Sequence, residues 1–156
     1  VDVRGRDVRP YRIVVVPMTI WIQFTRLRPT AAQPTQALPG DACWDLYVDR
    51  DYDLTPGQVH RVSTGLAMAI PQGWEGHVRG RSGKTIAGLI VCPGTIDAGY
   101  RGEVQVMLHC LTFATIKAGD RIAQLAIRQV PDVRWEEVAR LPSSERGQGG
   151  FGSSGV

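Results

Sequence analysis

Apolar residues in this chain come in short alternating bursts rather than at long helical spacing. From Val104 to Leu111, Val104, Val106 and Leu108 fall on one face, and Gln105, Met107 and His109 on the other. That two-residue period marks a half-buried strand. The same reading predicts strands at Trp44–Val48, Gln58–Ser63, Leu66–Ile70, Gly76–Gly80, Leu89–Cys92, Arg121–Gln129 and Val133–Val138. A first strand opens at Met18 and runs through Ile20, Ile22 and Phe24. Turn residues separate them: Thr55-Pro56-Gly57, Pro71-Gln72-Gly73, Pro93-Gly94 and Ala118-Gly119-Asp120. One brief helix is expected over Lys84–Gly88. Many short strands at near-regular spacing argue for an all-β sandwich, jelly roll or barrel.

The ends differ from the middle. Residues 1–17 carry Arg4, Arg6, Arg9 and Arg12 with little apolar periodicity before Ile13. They are expected to be an upstream extension or disordered arm, with Met18 as the natural start. Residues 18–142 then form the β domain. Residues 143–156 hold five Gly and four Ser in fourteen positions, the composition of a flexible tail.

A chain of 156 residues suits one domain with its own core. No apolar run approaches the ~20 residues of a membrane span, so no membrane partner is expected. Cys43, Cys92 and Cys110 are odd in number and widely spaced, which fits a reducing cytoplasm better than a disulfide framework or zinc site. His60, His77 and His109 form no ligand cluster. Of 18 basic residues only Lys84 and Lys117 are lysines. Arginine forks suit phosphate oxygens, but composition alone better supports a solvated basic surface or a codon preference for arginine. Basic and aromatic residues do not cluster as a nucleic-acid groove requires.

Gly83-Lys84-Thr85 looks like the end of a P-loop, yet the position five before Gly83 is Val78, and Gly88 and Pro93 interrupt the long helix such a loop needs. Five other segments carry more. They are Ala42-Cys43-Trp44-Asp45-Leu46; Gly80-Arg81-Ser82-Gly83; the unbroken stretch from Gly94 through Thr95, Ile96, Asp97 and Tyr100 to Val104; Gly119 through Gln124 to Leu125; and Arg146 through Gly149, Phe151, Gly152 and Ser153 to Gly155. In this order they resemble the five motifs of the trimeric dUTPase family, over essentially Met18 to Val156.

The resemblance implies a homotrimeric distorted jelly roll with a flexible C-terminal arm and with each active site built from three chains, so that a monomer is inactive. The expected activity is hydrolysis of dUTP to dUMP and pyrophosphate, which keeps uracil out of DNA and supplies dUMP for thymidylate synthesis. Asp97 would orient and deprotonate the attacking water, a suitable task for a positioned carboxylate. The ring of Tyr100 would pack under the deoxyribose and reject a 2′-hydroxyl by a clash, the alternative being a core tyrosine. Gly94, Thr95 and Ile96 belong to the hairpin whose backbone would read uracil. Arg81, Ser82, Gly83 and Gln124 would meet phosphates, and Gln105 is a further substrate contact. Asp120 and Arg121 fit either ligand contacts or an internal ion pair, the structural role being favoured, and Lys84 fits a solvated turn lysine better than a phosphate contact. In the arm, Arg146 would pair with the γ-phosphate, Phe151 stack on uracil, and Gly149, Gly152 and Ser153 bring amides close to oxygens. Mg²⁺ would ride on the triphosphate, with Asp45 reaching it through a water.

The chain departs from the family pattern at places. Cys43 stands for a usual glycine and Trp44 for a common tyrosine. Lys84-Thr85-Ile86-Ala87 replaces the usual Leu-Ala run and following basic residue, the hairpin around Val91 and Cys92 lacks an asparagine, and the Leu111–Lys117 connection is short. Two rival readings remain. The dCTP deaminase branch of the fold uses a glutamate ten residues beyond the matching aspartate, where this chain has Met107. A dUTPase-like protein kept for binding a protein partner could dispense with Asp97, Tyr100 and the tail, all of which are present.

Overall fold

The computed structural model describes residues 18–149; the leader and Phe151, Gly152 and Ser153 lie outside the described residues. Ten strands and one short helix follow in chain order: β1 (Gln23–Arg26), β2 (Trp44–Tyr47), β3 (Tyr52–Leu54), β4 (Val59–Ala69), β5 (Trp74–Arg79), α1 (Ser82–Ile86), β6 (Leu89–Cys92), β7 (Gly94–Ile96), β8 (Glu103–Cys110), β9 (Ala114–Ile116) and β10 (Arg121–Gln129). They form two four-stranded sheets, β1-β4-β8-β6 and β2-β10-β5-β7, plus the pair β3-β9. All pairings are antiparallel.

Alternation in β8 turns Val104, Val106, Leu108 and Cys110 inward, against Leu89 and Val91 of β6 and Val62 of β4. From the second sheet come Leu46, Val78, Ile122 and Leu125. Each such side chain, when fully buried, contributes about 1.5–3 kcal/mol. In β10 the consecutive Ile122 and Ala123 are both buried, because the register shifts between Arg121 and Ala123.

The structure corrects four expectations. Gln58–Ser63 and Leu66–Ile70 are one strand, β4, continuous through a register shift between Ser63 and Ala67. Gly65 lies at that shift with φ +67°, and its amide donates to Glu103 Oε1 at 3.0 Å. A bulge thus bridges what looks like a break. The first strand starts only at Gln23, because its ladder with β4 ends where Gln23 meets Ala69 and Pro71 follows soon after. Val133–Val138 is not a strand: Val133 and Trp135 are 59% and 95% exposed, and among the described residues no strand pairs with the segment. The helix begins at Ser82, two residues early, and stops before Gly88 at φ +81°. No helix among the described residues is long and apolar enough to cross a membrane.

Candidate active site

Asp45 sits in β2 opposite Gln124 of β10, which in turn pairs with Arg79 of β5, two residues before Arg81. The Asp45 carboxylate is 3% exposed. Its Oδ1 lies 3.0 Å from Arg81 Nε and 3.4 Å from Gln124 Nε2, and its Oδ2 accepts a hydrogen bond from Arg121 at 3.2 Å. Arg81 also donates to the Arg121 carbonyl at 3.1 Å. These ties fix the Arg81 side chain beside Ser82 and Gly83, which open α1. A cavity of about 390 Å³ results, lined by Arg81, Ser82, Gly83, Lys84, Ala87 and Gln124. Guanidinium, ammonium, hydroxyl and amide donors converge on it, a lining suited to anionic oxygens.

The expected Asp120–Arg121 pair does not form. Adjacent residues of an extended chain point opposite ways: Arg121 goes to Asp45, while Asp120 accepts the Lys117 amide at 3.1 Å and faces Lys84 Nζ at 3.8 Å. Lys84 is not a solvated lysine either, since its side chain is only 27% exposed.

The second group of residues sits on β7 and the turn after it; β6 and β7 do not form the expected hairpin, because β6 pairs with β8 and β7 with β5 in the other sheet. After Gly94, Thr95 and Ile96 the chain turns, with the Tyr100 amide donating to the Asp97 carbonyl at 3.0 Å and Arg101 to the carbonyls of Ala98 and Tyr100, both at 2.7 Å. Asp97 is exposed. Tyr100 is 45% exposed, so the core-tyrosine alternative falls. Its hydroxyl donates to the Glu103 carbonyl at 3.0 Å, and its ring covers Gly102, where a Cβ would come within 2.6 Å of the ring carbon Cζ.

The two groups are not together in one chain. Gly94 pairs with Val78 and Ile96 with Gly76, so the antiparallel register puts Asp97 at the Glu75 end of β5. Arg81 follows the other end, about 20 Å away at ~3.3 Å per residue. Gln105 stands on the outward face of β8, where it donates to Glu103 Oε2 at 3.3 Å. Arg146 donates to the Gly149 carbonyl at 2.9 Å and is exposed.

One cluster escaped the sequence reading. Glu103 accepts hydrogen bonds from Ser63 and from the Gly65 amide, and its Oε1 lies 2.8 Å from Arg28. Arg28 also faces the buried Asp49 at 2.7 Å. Glu103 belongs to the third motif, but its partners are brought by strands remote in sequence, so no local signal marks its role. A second hollow, about 420 Å³ and lined by residues such as Ile20, Ile22, Trp44 and Leu125, holds no ionisable group.

For a divalent cation the donors matter. Among the described residues no cluster of three or more Asp, Glu, His or Cys could hold one. Asp45 Oδ2 meets a single guanidinium nitrogen and keeps an acceptor site for a water. Asp45 is thus a residue that could hold a water on a metal carried by the substrate.

Antiparallel sheets of jelly-roll type define the class, an all-β protein, here with a donor-lined cavity at the end of one sheet. The dUTPase family profile matches residues 30–155, and the chain belongs to that family. It is similar to the deoxyuridine 5'-triphosphate nucleotidohydrolase of Thermobifida fusca, 45% identical over 143 residues that cover 88% of this chain and 80% of the relative. The enzyme of the same name from Gloeobacter violaceus is 44% identical, with 89% and 98% covered. Among solved structures, the dUTPase of Staphylococcus bacteriophage 80alpha with dUPNHPP is 30% identical at a TM-score of 0.82, covering 88% of this chain and all of that one. A phage phi11 dUTPase, described as coordinating a structural Mg(II) ion, shares the fold at 23% identity and a TM-score of 0.72, with 77% and 97% covered.

Proposed function

We propose that the chain is a dUTP diphosphatase, hydrolysing dUTP to dUMP and pyrophosphate. The observation that carries this reading is the full set of family motifs, in order, on a chain 45% identical to a named dUTP nucleotidohydrolase. The phosphate end of the nucleotide would lie in the cavity of Arg81, Ser82, Gly83 and Gln124. Asp97 takes the proton of a water that attacks phosphorus in line, and pyrophosphate leaves with the bonding pair. Mg²⁺ bound to the triphosphate would neutralise its charge and fix its shape, and Asp45 would hold it through a water. Tyr100 closes the floor of the sugar site and excludes ribonucleotides. Arg146 and Phe151 of the tail complete the enclosure, expelling water and strengthening the charges inside.

Because Asp97 and Arg81 are remote within one chain, the working site needs Asp97 from another copy. That separation supports sites shared between copies, and the family resemblance sets their number at three, a homotrimer. Three cysteines free of disulfides fit a reducing cytoplasm. The deaminase alternative would need an acid where Met107 stands, 39% exposed on the outer face of β8.

The test is pyrophosphate release from dUTP, dCTP, dTTP and UTP with Mg²⁺. Release is expected from dUTP alone, with Asp97→Asn lowering turnover roughly 10²–10⁴-fold. Binding of dUTP without release would point to a binding relative, and ammonia from dCTP to a deaminase.

A further inference from the structure

We propose that Lys84 is a second cation of the phosphate cavity, contacting the pyrophosphate end of the ligand; the inference rests on the dUTP reading above. Three observations carry it. Lys84 lines the same cavity as Arg81, Ser82, Gly83 and Gln124, and its side chain is about three-quarters covered. Its acidic neighbour, Asp120, lies at 3.8 Å, beyond hydrogen-bond length, while Asp120 is itself held by the Lys117 amide. Ala87, one helical turn on, lines the same wall with only a methyl group, leaving room for an anion beside the ammonium.

Charge decides the matter. Arg81 and Arg121 are both turned toward Asp45, and Asp120 stands close behind Lys84. The two guanidinia and the two carboxylates cancel, so Lys84 alone makes this wall net positive. Arg81 is tied to Asp45 and to the Arg121 carbonyl. The lysine is a mobile point charge with three donors and a flexible stem. It can turn from Asp120 to a phosphate oxygen at little cost, because the pair it leaves is loose and partly solvated.

The experiment measures binding of inorganic pyrophosphate, non-hydrolysable α,β-imido-dUTP and dUMP, with Mg²⁺, to the full chain and to Lys84→Gln, Lys84→Arg and Asp120→Asn. Lys84→Gln should weaken pyrophosphate and imido-dUTP about 5- to 10-fold and dUMP less than about 2-fold. Lys84→Arg should restore most of the loss, and Asp120→Asn should leave pyrophosphate binding equal or tighter. Unchanged pyrophosphate binding in Lys84→Gln would overturn the proposal. So would an equal loss for dUMP, or the same loss in Asp120→Asn, which would mean that only the ion pair matters. If the unaltered chain releases nothing from dUTP, the reading of the reaction fails, while the pyrophosphate measurement still tests Lys84 directly.

Discussion

Burial pushes the Glu103 carboxyl up, but hydrogen bonds from Ser63 and the Gly65 amide and the nearby Arg28 guanidinium outweigh it, holding the group below its ordinary 4.5. A carboxyl depressed by folding stabilises the native state above its unfolded value. That stability is lost as pH falls from 4.5 through the folded value, where the unfolded chain takes up the proton first. The urea midpoint of the native chain should therefore drop more steeply below pH 4.5 than that of Glu103→Gln, which starts lower at neutral pH. Parallel curves for the two proteins would remove Glu103 from this role. Asp97, Arg81 and Gln124 could be named from sequence because their motifs are contiguous. Glu103 stands inside one of those motifs, yet its partners Arg28, Ser63 and Gly65 are remote in the chain. Only the fold brings them into reach. For Lys84 the sequence leaves a phosphate contact second to a solvated turn lysine, since nothing local shows that its helix face borders a cavity.

Among elements, the strands with clean alternation and firm turn residues were the legible ones. Leu89–Cys92 and Arg121–Gln129 agree with their predicted limits, and the inward face of β8 is the predicted one. Three-residue strands such as β3 and β9 are too short to show a period and were missed. Val133–Val138 has the alternation but not the hydrogen-bonding partner, and periodicity cannot supply one. The long β4 teaches the converse, since Gly65 reads as a break and acts as a bulge. At Gly65 the positive φ suits glycine, and a Cβ would stand 2.8 Å from Ala31 Cβ and 3.2 Å from Asp49 Cβ. Gly65→Ala should cost about 1–3 kcal/mol, visible as a lower urea midpoint. An unchanged midpoint would mean that the bulge relaxes freely.

In the shared-site trimer proposed above, the separation of Asp97 from the Arg81 cavity along β5 makes catalysis a property of the assembly. It has a genetic reading. Homotrimers of Asp97→Asn and of Arg81→Ala should each be nearly silent, one lacking the base and the other the phosphate anchor. Exchanged together into mixed trimers, the two chains place an intact Asp97 against an intact Arg81 in a fraction of their interfaces. Two defective alleles would then complement each other, and dUTP turnover should reappear on mixing. If every site were built within one chain, mixing would restore nothing. A lesion at Asp97 alone would silence a cavity on a neighbouring chain and spare the carrier's own, so each faulty chain would cost a mixed trimer one site.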